Sequence, residues 1–288
     1  MNANIKLIEC PRDAMQGITN FIPTDEKVAY LNSLLQVGFD TIDIGSFVSP
    51  HAIPQMADTA LVLSKLDLDN VKSKLLVIVA NVRGAIGAGM FSEVTYMGFP
   101  FSISETFQKR NTNSSIEASL KSVEQMQSIC LNNNKQLVVY ISMGFGNPYG
   151  DVWNEEIVMK WCDKLSDMGV KIISLADTVG MAKPENISSL FKQLIPAFPS
   201  VEFGAHFHST PMAWREKIEA AFNNGCLRFD SAMKGIGGCP MADDKLVGNL
   251  ATENLISFFN EKEISLSLNS DKFSDAMQKA DILFCDYH

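Results

Sequence analysis

"VEFGAHFH", residues 201–208, is the stretch from which the fold can be read. Apolar and polar residues alternate along it, the period of a strand with one face buried. Successive side chains of a strand point to opposite faces, so residues two apart share a face. His206 and His208 therefore aim their rings at one point, and they are two of only four histidines in the chain. Downstream, "NGC" (224–226) is a tight turn that leads into another short apolar run, "CLRFD" (226–230).

The same unit recurs upstream. "IKLIE" (5–9), "TIDIG" (41–45), "KLLVIVA" (74–80), "EVTYMGF" (93–99), "QLVVYISM" (136–143) and "KIISLA" (171–176) are strand-like. Helical patterns lie between them. "TDEKVAYLNSLLQVG" has Thr24 as an expected N-cap, early acids, apolar positions at helical spacing and a closing Gly38. "SSIEASLKSVEQMQSICL" and "NEEIVMKWCDKLSDMG", the latter stopping at Gly169, follow the same scheme. No linker or composition break interrupts the alternation, which implies a parallel sheet. Eight units in 288 residues, not far above the typical ~250, predict an α/β chain folded as a single-domain (β/α)8 TIM barrel. The barrel is expected to span 1–288, with a C-terminal helical extension from about 262. A doubly wound sheet is the alternative, weakened because no GxGxxG follows the first strand.

Composition narrows the function. Hydrophobic residues make up 46% and charged residues 20%, the mix of an ordinary globular chain. A net charge of -9 argues against general nucleic-acid binding, which needs a basic face. A small anion held by local donors remains compatible with it. No apolar run approaches the roughly 18 residues that span a bilayer. "MNANIKLIECPRD" has neither a signal-peptide nor a transit pattern. A soluble cytoplasmic protein with no membrane or nucleic-acid partner is expected, as a homodimer. The six cysteines are scattered without a CxxC, the usage of buried thiols rather than disulfides.

In a barrel, chemistry sits at the C-terminal ends of the strands. Arg12 and Asp13 follow the first strand; Asp43, then "GSFVSP", closes the second; Asp177 and Thr178 follow the sixth; His206 and His208 end the seventh; "GIGGCP", carrying Cys239, follows the eighth. Two strand-end histidines favour a metal over two structural histidines, and imidazoles suit zinc, iron or copper. With Asp13 they would make the two-histidine, one-carboxylate set of non-haem iron, whereas further oxygen ligands would favour Mg²⁺ or Mn²⁺. Arg12 and Asp13 form either a surface ion pair of little worth or a cation placed to stabilise negative charge on a carbonyl oxygen. The glycine-dense loop is either a tight turn or a backbone that approaches a ligand closely. Asp177 reads equally as a ligand, as support for one, or as a helix cap.

Taken together, "IECPRDAMQ", "IDIGSFVSPHAIPQM", "KRNTNSSIEAS", "ISLADTVGMAKP", "HFH", "DSAMKGIGGCP" and "GNLATENL" run in order along nearly the whole chain. In these pieces the sequence resembles the 3-hydroxy-3-methylglutaryl-CoA lyase family. The resemblance implies that Asp13, His206, His208 and Asn249 hold Mg²⁺ or Mn²⁺. It implies that Arg12 stabilises an enolate oxygen, that Cys239 and His206 move protons, and that Asp13 is part of the catalytic set. Gln16, Asp43, Ser46, Ser174 and Asp177 are implied at the substrate site, and Lys109 and Asn111 near the CoA end. The implied reaction is retro-Claisen cleavage of an acyl-CoA. Departures from the pattern are Ala14 for Gly, Asp43 for Glu, Ser209-Thr210-Pro211-Met212 for Asp-Thr-Tyr-Gly, Lys234 for a small residue, and one extra residue between Cys239 and Asn249. They leave a related 3-hydroxyacyl-CoA, or a hydroxy- or oxo-acid, as the alternative substrate.

Overall fold

Eight parallel strands pair in chain order and close on themselves: β1 Lys6–Glu9, β2 Thr41–Ser46, β3 Lys74–Ile78, β4 Val94–Ser102, β5 Gln136–Ser142, β6 Ile172–Asp177, β7 Glu202–Phe207 and β8 Arg228–Ser231. The computed structural model describes residues 4–238 and 247–287. Between the strands run α1 Pro11–Gln16, α2 Thr24–Leu35, α3 Thr59–Lys65, α4 Val82–Gly89, α5 Glu105–Thr112, α6 Ile116–Asn132, α7 Glu155–Asp167, α8 Pro184–Ala197 and α9 Trp214–Asn223. α10 Thr252–Glu261 follows β8, and α11 Ser270–Tyr287 returns to pack on α2, where Phe284 meets Tyr30 edge-on at 5.8 Å. The chain is thus a TIM barrel, and past α10 residues 262–269 lead to its last helix, which begins at Ser270.

The period-two rule divides each strand. Leu75, Val77, Met97, Leu137, Val139, Ile141 and Ile173 join the core shared with the helices. Leu76, Tyr96, Val138, Tyr140 and Ile172, at the alternate positions, form a second apolar cluster inside the barrel. A buried Arg228 sits among them, with its guanidinium 3.4 Å from Glu202 and 5.7 Å from the Tyr96 ring. A packed floor of this kind leaves the opposite mouth for a site.

Of the three helix starts that the sequence marks out, two are capped by their own side chains and one is not. Ser115 and Asn154 cap α6 and α7 by accepting from Ala118 N–H at 3.1 Å and Ile157 N–H at 2.9 Å. Thr24 was expected to cap α2, but Pro23 takes that position and Thr24 is the first helical residue. Its hydroxyl donates instead to Asp58 Oδ2 at 2.8 Å, a carboxylate that Lys27 also reaches. A long-range acceptor outcompetes the local backbone here, which the sequence pattern cannot register.

Candidate active site

The site begins where β1 ends. Pro11 opens α1 directly after the strand, at a position where a missing N–H costs nothing. One helical turn then sets Arg12, Asp13 and Gln16 within reach of one another. Arg12 Nη1 donates to Asp13 Oδ1 and to Gln16 Oε1, both at 2.8 Å. Its Nε and Nη2 donate to Asp43 Oδ2 at 3.0 and 2.6 Å. The guanidinium is buried and fixed by three side chains, so its charge is oriented before any substrate arrives. Burial pushes the Asp43 carboxyl up to about 6, although Arg12 pulls the other way.

The paired histidines close the opposite wall. His206 Nδ1 donates to Asp230 Oδ2 at 3.1 Å, and His208 Nδ1 donates to the Thr178 carbonyl at 3.0 Å. Each bond fixes a tautomer and leaves Nε2 with its lone pair. His208 is 2% exposed and its Nε2 has no hydrogen-bond partner. Burial, then the neighbouring His206, pushes His208 down to about 4, so it is a neutral donor at neutral pH. Burial opposes a charge on His206 as well, but Asp230 outweighs it and raises that imidazole above its ordinary value. One nitrogen from each histidine and one oxygen of Asp13 lie within 4.8 Å of each other. Burial would raise Asp13, yet Arg12 foremost, with the two histidines and Asn249, holds its carboxyl below the usual range. A neutral imidazole with an orphaned lone pair beside a carboxylate is a donor set that fits a divalent cation.

The other expected residues separate by strand and helix phase. Ser46 lines the cavity because the pairing of β2 with β3 shifts between Asp43 and Gly45, and this bulge re-aims the strand end. Gln16 also lines the cavity. Ser174 shares the inward phase of β6 with Ala176 but sits one layer below, fully buried, its hydroxyl without a partner. Asp177 is in the opposite phase: it points away from the cavity, accepts from Lys217 Nζ at 2.7 Å and from Ala182 N–H at 3.0 Å, and fastens β6 to α9. Asn111 lines the cavity mouth; Lys109 does not, because it is exposed and pairs with Glu105 at 3.2 Å. Residues two apart on a helix face different ways, and α5 turns Phe107, Arg110 and Asn111 inward instead. Asn249 lies outside the lining but donates from Nδ2 to Asp13 Oδ2 at 2.7 Å and to the Ile236 carbonyl at 2.9 Å. Cys239 lies outside the described residues.

Three contributors were not anticipated as such: Asp230, which orients His206; the Thr178 carbonyl, which orients His208; and Tyr140, whose ring meets His206 edge-on at 5.5 Å. The glycine density of residues 235–238 has a physical reason. Gly237 has φ +102, and a Cβ there would stand 2.6 Å from the Asp13 carbonyl oxygen and 2.7 Å from Asn249 Nδ2. Only a residue without a side chain lets this loop lie against the metal-competent trio. The cavity is about 450 Å³ and open at its mouth, with an apolar inner wall that includes Ile78, Pro100 and Tyr140.

The family model described as HMGL-like matches residues 4–279. The chain belongs to that family. It is 33% identical over 276 residues to the cytoplasmic 3-hydroxy-3-methylglutaryl-CoA lyase of Rattus norvegicus, covering 94% of this chain and 79% of the relative. It is 30% identical to the hydroxymethylglutaryl-CoA lyase of Bacillus subtilis strain 168, over 92% of this chain and 88% of that one. Among solved structures, hydroxymethylglutaryl-CoA lyase from Pseudomonas aeruginosa superimposes with TM-score 0.90 at 29% identity, covering 99% of this chain and 95% of that one. An HMG-CoA lyase from Acinetobacter baumannii, in complex with coenzyme A and 3-methylmalate, gives TM-score 0.88 at 28% identity, over 98% and 91%. As a member of this family, the protein is a carbon–carbon lyase.

Proposed function

We propose that the protein cleaves 3-hydroxy-3-methylglutaryl-CoA to acetyl-CoA and acetoacetate, with Mg²⁺ or Mn²⁺ bound. The observation that carries this reading is the buried, partnerless Nε2 of His208 facing Asp13 and His206, beside an arginine already locked in place. The names of the relatives and the coenzyme A bound in the Acinetobacter baumannii structure support a CoA thioester as substrate.

In this reading Asp13, His206, His208 and Asn249 hold the metal. When bound, the ion supplies a Lewis acid that acidifies the substrate hydroxyl and polarises a neighbouring oxygen. The residues of the chain do the rest. Asp13, whose carboxylate keeps lone pairs beyond the one a metal would use, takes the hydroxyl proton, while His206 is held as a ligand by Asp230. The bond between the carbinol carbon and the thioester α-carbon breaks, and acetoacetate leaves. Arg12, held by Asp43, faces the enolate oxygen that the departing acetyl-CoA carries. Cys239 returns a proton to its carbon. Gln16 and Ser46 line the acyl space, and Asn111 stands at the mouth where the CoA arm passes.

No helix among the described residues is long and apolar enough to cross a membrane. With the cytoplasmic relatives and the acidic composition, this supports a cytoplasmic enzyme, taken here as a homodimer acting on an acyl-CoA without nucleic acid or membrane. The test is chelation and re-addition. Apo protein should be inactive and recover with Mn²⁺, and His208→Ala should lose Mn²⁺ affinity. Full turnover in excess chelator overturns the reading.

A further inference from the structure

Glu9 ends β1 in the phase of Leu7, on the helix-facing side of the strand, and it is fully buried. No lysine or arginine pairs with it among the described residues. It accepts from the Met233 N–H at 2.8 Å through Oε1, and its Oε2 lies 2.5 Å from Thr252 Oγ1. Thr252 Oγ1 is in turn 2.9 Å from Ser231 Oγ. Burial pushes the carboxyl up to about 8 against the hydrogen bonds from Thr252 and Met233, and the charge of Glu253 adds to the rise. Burial raises the Tyr30 phenol of α2 well above its ordinary value, and a charge on Glu9 adds to that rise.

The hydroxyl chain satisfies both protonation states. With Glu9 charged, Thr252 donates to Oε2 and Ser231 donates to Thr252. With Glu9 neutral, its own O–H donates to Thr252, which donates to Ser231. Met233 N–H keeps an acceptor in either case. Met233 opens a turn in which Lys234 has φ +64, a strained value for a residue with a side chain. Glu253 Oε2 accepts the Lys234 N–H at 3.1 Å, and the Lys234 ammonium pairs with Asp281 of α11. One residue past the turn, the Ile236 carbonyl takes Asn249 Nδ2 at 2.9 Å, the same nitrogen that donates to Asp13 at 2.7 Å.

We propose that Glu9 is a positioning residue: it pins the strained turn at Met233–Gly235, and through Ile236 it sets the Asn249 carboxamide against Asp13. It touches neither substrate nor metal. What the task needs is the reach and shape of the side chain, not its charge. The proposal rests on the functional reading above in taking Asp13 and Asn249 as metal ligands.

The test compares Glu9→Gln with Glu9→Asp, using Mn²⁺ affinity and steady-state cleavage of the thioester. Glutamine matches the neutral acid: Oε1 accepts from Met233 and Nε2 donates to Thr252. Its Mn²⁺ affinity should stay within about twofold of wild type and its kcat within about threefold, since every hydrogen bond is kept. Aspartate keeps an ionisable carboxyl but falls short of Met233 N–H. It should bind Mn²⁺ roughly tenfold more weakly and lose about tenfold in kcat with KM little changed, the scale seen when support behind a ligand is lost. Glutamine as impaired as aspartate overturns the proposal, because charge or proton would then be what matters. So does aspartate with unchanged Mn²⁺ affinity. A wild-type protein that binds no divalent metal fails the functional reading instead, and the two failures are told apart by that control.

Discussion

Removing the Asp230 carboxylate probes the metal half of the site without touching a ligand. Asp230 Oδ2 is 3.1 Å from His206 Nδ1, and the residue is 2% exposed. In Asp230→Ala the imidazole loses the acceptor that fixes its tautomer and ring plane. Loss of such a partner costs about 10–100-fold in metal affinity, or roughly 1.4–2.7 kcal/mol. Stability should fall as well. Asp230 is the main counter-charge to the buried Arg228, which would keep only Glu202 at 3.4 Å. A cost of about 2 kcal/mol, set against an unfolding entropy of roughly 2.1 cal/mol/K per residue, lowers Tm by about 3 °C. Asp230→Asn keeps an acceptor toward Nδ1–H and removes only the charge, so it should sit at the tenfold end. The sign of its pH effect follows from the same bond. Asp230 raises His206, and metal needs the neutral ring, so wild-type affinity falls as pH drops through that raised value. In Asp230→Asn this fall should move to lower pH. Mn²⁺ titration by electron paramagnetic resonance reads both effects. A folded Asp230→Ala protein with wild-type Mn²⁺ affinity would refute the argument that His206 is a ligand oriented from behind.

Cys239→Ser should cut kcat by about 10²-fold with little change in Mn²⁺ binding, the usual scale for losing a general acid; near-full turnover would send the search for the proton donor to His206. Asp43→Glu adds a methylene to a site only 1% exposed and pushes Arg12 off its mark, so kcat should fall by about tenfold or more; a gain in kcat would show that the shorter side chain is the limiting one. The pH dependence of stability has a definite sign at Glu9. Burial lifts its folded pKa to about 8 from 4.5, so this contribution is fully present below the unfolded value and is lost as pH rises through the folded one. Wild-type stability relative to Glu9→Gln should therefore decline between about pH 4.5 and 8, by at most about 1.4 kcal/mol per unit; parallel Tm–pH curves for the two proteins would contradict it.

Much of this arrangement is legible in the sequence because strand phase is a rigid rule. His206 and His208 share a face, and the same rule applied to "RFD" puts Asp230 in phase with Arg228, inside the barrel. It also separates Ser174 from Asp177, which lie three apart on one strand and face opposite ways. Glu9 is an acid closing an apolar strand, a pattern that calls for a buried partner without saying which. What strand phase cannot reveal is where it breaks: the bulge that turns Ser46 into the cavity depends on Gly45, whose bare backbone admits Thr59. Likewise, Thr24 had a local role on paper and a long-range one in the fold. Asn249 carried no periodic signal, and only its resemblance to a family pattern placed it beside Asp13.

The central claim is that this barrel splits a carbon–carbon bond in a branched 3-hydroxyacyl-CoA. The direct measurement follows the fate of 3-hydroxy-3-methylglutaryl-CoA by NMR with protein reconstituted in Mn²⁺ for turnover and stripped of it before acquisition. The account predicts acetoacetate and acetyl-CoA in equal amounts, with no free 3-hydroxy-3-methylglutarate, and no reaction by Arg12→Ala. Intact substrate, or hydrolysis to the free acid and CoA, would contradict it.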